Sequence, residues 1–243
     1  MKNTLNIFDK ILISDKDVLD LFISSLKSSN RLFLTYLNQH CFNLYSTNQE
    51  YRNLIESKFI VYADGVGINL ASKILFKKKY KQFNATDLNE RFIKILIDKK
   101  IKFFIIGGDF NGDDVRSHFN LNENFVGYHP GYFSDLEIGK ISEKIGILRP
   151  DVLIIGMGVP KQEIIAKKLS ELVDASLFLC VGNFFEFYFG TVERIPNRYR
   201  DKGIEWIYRI FQEPKRLWKR YFIGIPLFIF RVIKFKFNNP KTR

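Results

Sequence analysis

Asp64 stands in Tyr62-Ala63-Asp64-Gly65-Val66-Gly67, where a β-rich run gives way to glycines and then to a helical pattern. A carboxylate at such a junction meets any ligand that approaches the glycine backbone, which makes Asp64 a candidate general base. The same position suits an N-cap for the helix that follows, so both roles stay open. Asp87, in Ala85-Thr86-Asp87-Leu88, opens another helix and reads as a cap. Val159-Pro160-Lys161-Gln162-Glu163 begins a third helix with a cation, an amide and a carboxylate in its first turn. Lys161 and Gln162 have the chemistry to bind phosphate or sugar, while Glu163 fits an ordinary acid favoured by the helix dipole. Near the end of the chain, Arg216 and Arg220 are i, i+4 neighbours with Lys219 beside them, a set suited to neutralising a leaving diphosphate.

These residues need a frame. From Arg31 onward, short β-rich runs alternate with stretches of helical period, the pattern of an α/β domain built on a largely parallel sheet. Strands are expected at 32–37, 59–63, 102–106, 124–127, 152–156 and 177–181, with helices at 39–56, 65–76, 86–99, 113–119, 134–146 and 160–172. In the tail, one helix is expected near 203–212, a break at Pro214, a second helix from Lys215 into an apolar run, and a kink at Pro226. Several strands end in glycine: Gly65 and Gly67, Gly107-Gly108, Gly156 and Gly158, and Gly182. Off the carboxyl ends of a parallel sheet, such glycines let backbone N–H groups approach phosphate, so a nucleotide is the natural ligand. None of these loops completes GxGxxG or a Walker A motif.

Other chemistries find little footing. His40, His118 and His129 lie far apart without metal-ligand spacing. Cys41 and Cys180 sit inside apolar segments and read as core. Asp15-Lys16-Asp17 has the form DxD but precedes a helix and reads as its cap. No Gly-x-Ser-x-Gly pattern is present. The first residues lack the basic and apolar regions of an export signal, so a cytoplasmic location is expected. The apolar run from Tyr221 to Phe230 would reach only about 15 Å as a helix, half of a ~30 Å hydrocarbon core.

Charge divides the chain. Its formal net charge is +12. The last fifty residues hold 14 cations against Asp201, Glu205 and Glu213, a net +11, so residues 1–193 are nearly neutral. Interleaved aromatics such as Trp206, Phe211, Trp218, Phe222 and Phe230 would let this tail grip single-stranded nucleic acid, lie on an anionic bilayer, or present an ordinary solvated face.

Taken together, Ala63-Asp64-Gly65-Val66-Gly67, Ala85-Thr86-Asp87-Leu88, Gly158 to Glu163, Val181 to Gly190, Arg194-Ile195-Pro196 and Gly203 to Arg209 running into Glu213 to Leu217 resemble the WecG/TagA/CpsF family of bacterial glycosyltransferases. The resemblance implies a Rossmann-like core over residues 1–193 and a basic, aromatic helical appendage over 194–243. It implies inverting transfer, with no metal or other cofactor, of N-acetylmannosamine or a related hexose from a UDP-sugar to an undecaprenyl-diphosphate-linked acceptor in surface polysaccharide synthesis. Asp64 falls on the base. Substrate contacts fall on Asn38, Gly65, Gln82, Asp87, Gly107, Gly158, Lys161, Gln162, Gly182 and Glu186 in the core, and on Arg209, Arg216, Lys219 and Arg220 in the tail. The resemblance further implies a peripheral place on the anionic inner leaflet, self-association through the core, and no nucleic-acid partner.

The sequence departs from the family pattern at two places. Gln82 stands where an arginine is usual, and Gly182-Asn183-Phe184-Phe185-Glu186-Phe187 replaces Gly-Gly-Ala-Phe-Asp-Phe, adding bulk beside the crevice. A rival class is a non-catalytic basic module that binds nucleic acid or anionic membrane and ignores UDP. A nicotinamide enzyme is disfavoured by the incomplete glycine fingerprint.

Overall fold

The computed structural model describes residues 7–28, 30–77, 84–119, 122–194 and 205–238, with the side chains of 9, 205, 206 and 216 outside that description. Seven strands form one sheet: β1 (Ile11–Leu12), β2 (Leu32–Leu37), β3 (Ile60–Ala63), β4 (Phe103–Gly107), β5 (Phe125–His129), β6 (Val152–Gly156) and β7 (Leu177–Cys180). Their order across the sheet is β1-β3-β2-β7-β6-β4-β5, and every described pairing is parallel. A parallel sheet is covered on both faces, and so its strands are apolar throughout. In β4, Phe103 and Ile105 point into one core while Phe104 and Ile106 point into the other.

Helices α2 (Gln39–Thr47), α3 (Gln49–Lys58), α4 (Gly65–Phe76), α7 (Ile138–Leu148) and α8 (Lys161–Ser170) cover one face. The other carries α1 (Asp15–Ser25), α5 (Ala85–Asp98), α6 (Gly112–His118) and α9 (Phe184–Tyr188). The connection leaving β4 goes to α6 and the one leaving β6 goes to α8, so adjacent strands send their chains to opposite faces. That divergence opens a crevice at the carboxyl ends of β4 and β6, where ligands of open α/β sheets bind.

The expected strands are all present with ends shifted by a residue or two, and β1 is additional. The expected single helix 39–56 is two, because Asn48 adopts φ −105°, ψ 108° and its side chain accepts from Tyr51 N–H to start α3. The helix at 15–25 is capped by Ser14, not by the acids of Asp15-Lys16-Asp17, which occupy its first turn. Both cysteines are buried and free, as expected.

In the tail, a helix at Glu205–Gln212 is followed by Pro214–Trp218, a π-helical turn at Lys219–Ile223 and a final helix Gly224–Asn238. Pro226, where a kink is expected, lies just past the π-helical turn, which joins Pro214–Trp218 to the final helix without a break. The final helix packs against α2 and α4. Phe228 and Val232 are buried in the same core as α2 and α4, with Phe228 set edge-on to Phe42 at 5.4 Å. Arg231 donates to the Asn43 backbone carbonyl at 3.0 Å and to Asn43 Oδ1 at 2.8 Å, and Asn43 Nδ2 donates to Gly224 O at 2.7 Å.

Candidate active site

Asp64 follows β3 directly, at the N-cap position of α4, yet makes no capping bond to that helix. Its carboxylate reaches sideways. Oδ2 accepts from Asn38 Nδ2 and Oδ1 accepts from the Ala85 backbone N–H, each at 3.3 Å. The capping alternative for Asp64 is therefore corrected: the group joins three loops instead of closing its own helix. Asn38 is held in turn, because its Oδ1 accepts from the N–H groups of His40 and Cys41 as the N-cap of α2. Its amide N–H₂ is thereby aimed at Asp64.

Asp87 does not cap α5 either. Asn84 does so, accepting from Thr86 N–H at 2.8 Å. Asp87 pairs with Arg194 at 2.8 Å, and Arg194 also reaches Glu90 at 3.1 Å. The Arg194 side chain is only 8% exposed, so this pair fastens the start of the tail to the first turns of α5.

Glu163 stands in the first turn of α8, as expected, and is fully buried there. Its Oε1 accepts from Thr35 Oγ1 at 2.7 Å and from Gln162 Nε2 at 2.8 Å, while its buried Oε2 has no partner among the described residues. Burial pushes its carboxyl up to about 7, against the pull of those two hydrogen bonds. Gln162 is equally buried, and its Oε1 accepts from Gly182 N–H at 2.8 Å. Both ends of the Gln162 amide are thus spent inside the protein, and it acts on the crevice by fixing the loop after β7.

That loop is tight. Gly182 has φ +66°, and a Cβ there would lie 2.4 Å from the Tyr36 hydroxyl oxygen. Gly107, at φ +148°, would place a Cβ 2.2 Å from the Gly156 carbonyl oxygen, so β4 meets the end of β6 only because Gly107 lacks a side chain, while a Cβ on Gly156 would lie 2.7 Å from the Phe185 ring. Burial holds the Tyr36 hydroxyl well above its usual range, with Arg220 opposing and Asp64 reinforcing the rise. His40 is pushed down to about 4, by burial first and then by Arg220. The tail cation Arg220 therefore acts electrically on the ends of β2 and α2, beside Asn38 and Asp64.

A cavity of about 350 Å³ lies off the ends of β4, β6 and β7, with Gly108, Gly158, Lys161, Gly182, Asn183, Glu186 and Glu213 among its walls. It coincides with the divergence of chains at β4 and β6. Lys161 donates to Gly131 O at 3.0 Å and lies 5.2 Å from the Phe133 ring centroid. Glu186 accepts from Thr191 Oγ1 at 2.7 Å. Arg209 donates to Asn183 Oδ1 at 3.0 Å and lies over the Phe187 ring. Neighbouring strands are about 4.8 Å apart, so β3 with Asp64 stands ~10 Å from β7, across β2.

The structure thus brings Asp64 together with Asn38 at the end of β3, and Gly158, Lys161, Gly182 and Glu186 together in the cavity wall, which neither Asp64 nor Asn38 lines. Asp87 and Gly65 adjoin the first group through α5 and α4; Gly107 lies between strands. Lys219 lies against Trp218, 5.6 Å from its ring centroid. Gln82 and the Arg216 side chain lie outside the described residues. Sequence reasoning missed Tyr36, Arg194 and Glu213 as site residues. Glu213 carried a signal, since it precedes the helix-starting Pro214.

The fold is an all-parallel α/β sheet with a glycine-walled cavity off the carboxyl ends of β4, β6 and β7, the place where open α/β sheets bind ligands. The chain belongs to the WecG/TagA/CpsF family of glycosyl transferases, whose family model matches residues 8–242. It is 29% identical over 221 residues to the N-acetylglucosaminyldiphosphoundecaprenol N-acetyl-beta-D-mannosaminyltransferase of Staphylococcus aureus strain MW2, covering 89% of this chain and 85% of that protein. The proteins of the same name from strains MRSA252 and NCTC 8325 match with the same identity and coverage. The chain is accordingly a glycosyltransferase, and the reading as a non-catalytic binding module is set aside.

Proposed function

We propose that this glycosyltransferase moves N-acetylmannosamine or a related hexose from a UDP-sugar to a hydroxyl of a GlcNAc-diphosphate-undecaprenol acceptor, with inversion and without a metal, in bacterial surface polysaccharide synthesis. The observation that carries this reading is Asp64, released from capping and oriented by Asn38 and the Ala85 N–H at the end of β3. In the reaction, Asp64 takes the acceptor hydroxyl proton as that oxygen attacks the anomeric carbon. The bond from that carbon to the diphosphate oxygen breaks, and its electron pair leaves with UDP.

The donor lies along the crevice, with its nucleoside in the cavity and its sugar toward Asp64. Arg220, with Arg216 and Lys219 of the tail, offsets the charge that builds on the leaving diphosphate, while Arg209 is engaged by Asn183 Oδ1. On this reading residues 1–193 are the core, and 194–243 complete the site and meet the membrane's inner face. Among the described residues no helix is long and apolar enough to cross a membrane. The names of the relatives support the acceptor class, and the exposed aromatics of the tail support contact with lipid.

The test is turnover of purified protein with a polyprenyl-diphosphate-GlcNAc acceptor and a panel of UDP-sugars, following UDP release and acceptor mass with and without EDTA. One donor should be used, and EDTA should leave the rate unchanged. Asp64→Asn should bind UDP normally and lose roughly 10²–10⁴-fold in turnover. Wild-type turnover in that variant would remove Asp64 from the role of base.

A further inference from the structure

Asn183 is the first residue after the tight Gly182 turn, and its side chain forms part of the cavity wall. Its two polar atoms are treated differently. Oδ1 accepts from Arg209 at 3.0 Å, whereas Nδ2 is buried and has no hydrogen-bond partner among the described residues. A guanidinium donates hydrogen bonds and accepts none, so Arg209 fixes which way the amide is turned. The N–H₂ group is left as an oriented donor, and a buried donor without an acceptor is costly unless a ligand supplies one.

The surroundings narrow that ligand group. Glu186 and Glu213 share the cavity wall with Lys161, whose Nζ donates to Gly131 O at 3.0 Å, so the wall is net acidic and disfavours a phosphate there. Phe185 and Tyr132 also line the space, with Tyr132 78% exposed and available to lie against a planar ring. A carbonyl on a flat heterocycle meets these conditions; a diphosphate does not.

We infer that Asn183 is a specificity-determining residue that donates from Nδ2 to the 4-carbonyl oxygen of the donor's uracil, with Arg209 of the tail holding its amide in register. This rests on the UDP-sugar reading above. It makes base recognition a joint property of core and tail, because the core supplies the donor atom and the tail sets its direction. Cytosine carries an amino group where uracil carries its 4-carbonyl, so an oriented N–H donor at that edge discriminates between the two.

Binding of UDP and CDP to the full chain, by calorimetry, tests it. The wild type should prefer UDP. Asn183→Ala should lose about tenfold in UDP affinity, the scale of one hydrogen bond, and little in CDP affinity. Asn183→Asp keeps an acceptor for Arg209 and replaces the donor by an acceptor, so its melting temperature should stay near wild type while its preference moves toward CDP. Equal losses for both nucleotides in Asn183→Ala, or a wild-type UDP preference in Asn183→Asp, would overturn the inference and leave the UDP-sugar reading standing. Absence of UDP binding by the wild type would overturn that reading itself.

Discussion

At the scale of single residues, the site depends on groups whose burial contradicts their chemistry. Glu163 is raised from 4.5 to about 7, so the folded state favours its neutral form. Its contribution to stability is complete below pH 4.5 and is lost as pH rises through about 7, an effect of the order of 3 kcal/mol. His40 runs the other way: lowered from 6.5 to about 4, it adds stability above 6.5 that is lost as pH falls. Comparing wild type with Glu163→Gln isolates the carboxyl, since both proteins keep His40. The melting temperature of Glu163→Gln should exceed that of wild type most at pH 8, and the gap should close toward pH 4.5. A gap independent of pH would show that folding leaves the Glu163 pKa unshifted. This position shows why sequence falls short at residue scale. Asp64 was legible as a carboxylate at a strand end and Glu163 as a first-turn acid, but the burial of Glu163 left no mark in the local sequence. Its burial is set by Thr35, 128 residues away in the chain.

At the scale of elements, legibility followed length and period. The six longer strands and most helices announce themselves through apolar alternation and glycine stops, and α4 falls at Gly65–Phe76 as expected. A two-residue strand leaves no period to read, so β1 was invisible. Asn48 is a tolerable helix residue in composition, and only its bond to Tyr51 N–H reveals a boundary. The final helix was legible as a helix but not as a structural partner of α2 and α4. Its attachment rests on Phe228, 2% exposed, and on the Arg231–Asn43 bonds. Phe228→Ala should cost about 3–5 kcal/mol. Thermal unfolding measures the loss, and limited proteolysis should cut first within 224–238. An unchanged protease pattern would mean that the helix is held by its remaining contacts.

At the scale of the molecule, the charge asymmetry and the exposed apolar surface coincide. Phe222 is 69% exposed and Phe230 62%, on a tail that carries most of the net charge. Such a surface joins apolar insertion to attraction for anionic lipid. Replacing both Phe222 and Phe230 by serine should leave melting unchanged and lower co-sedimentation with phosphatidylglycerol vesicles by roughly tenfold or more per residue, given ~1.5–3 kcal/mol for each phenyl group withdrawn from lipid. Vesicle binding equal to wild type would assign that face to another partner.

The short strand β1 has a significance out of proportion to its length. Among the described residues it pairs with β3 alone, the strand that leads into Asp64, and the segment before it is pinned by Phe8 against Phe42 and Phe235. It shields the backbone N–H and C=O groups along one rim of the sheet, which would otherwise serve as a template for another chain. A chain shortened past Leu12 would keep Asp64 and the cavity, yet expose that rim. Its first defect would be aggregation through strand pairing between copies, in advance of any defect in sugar transfer.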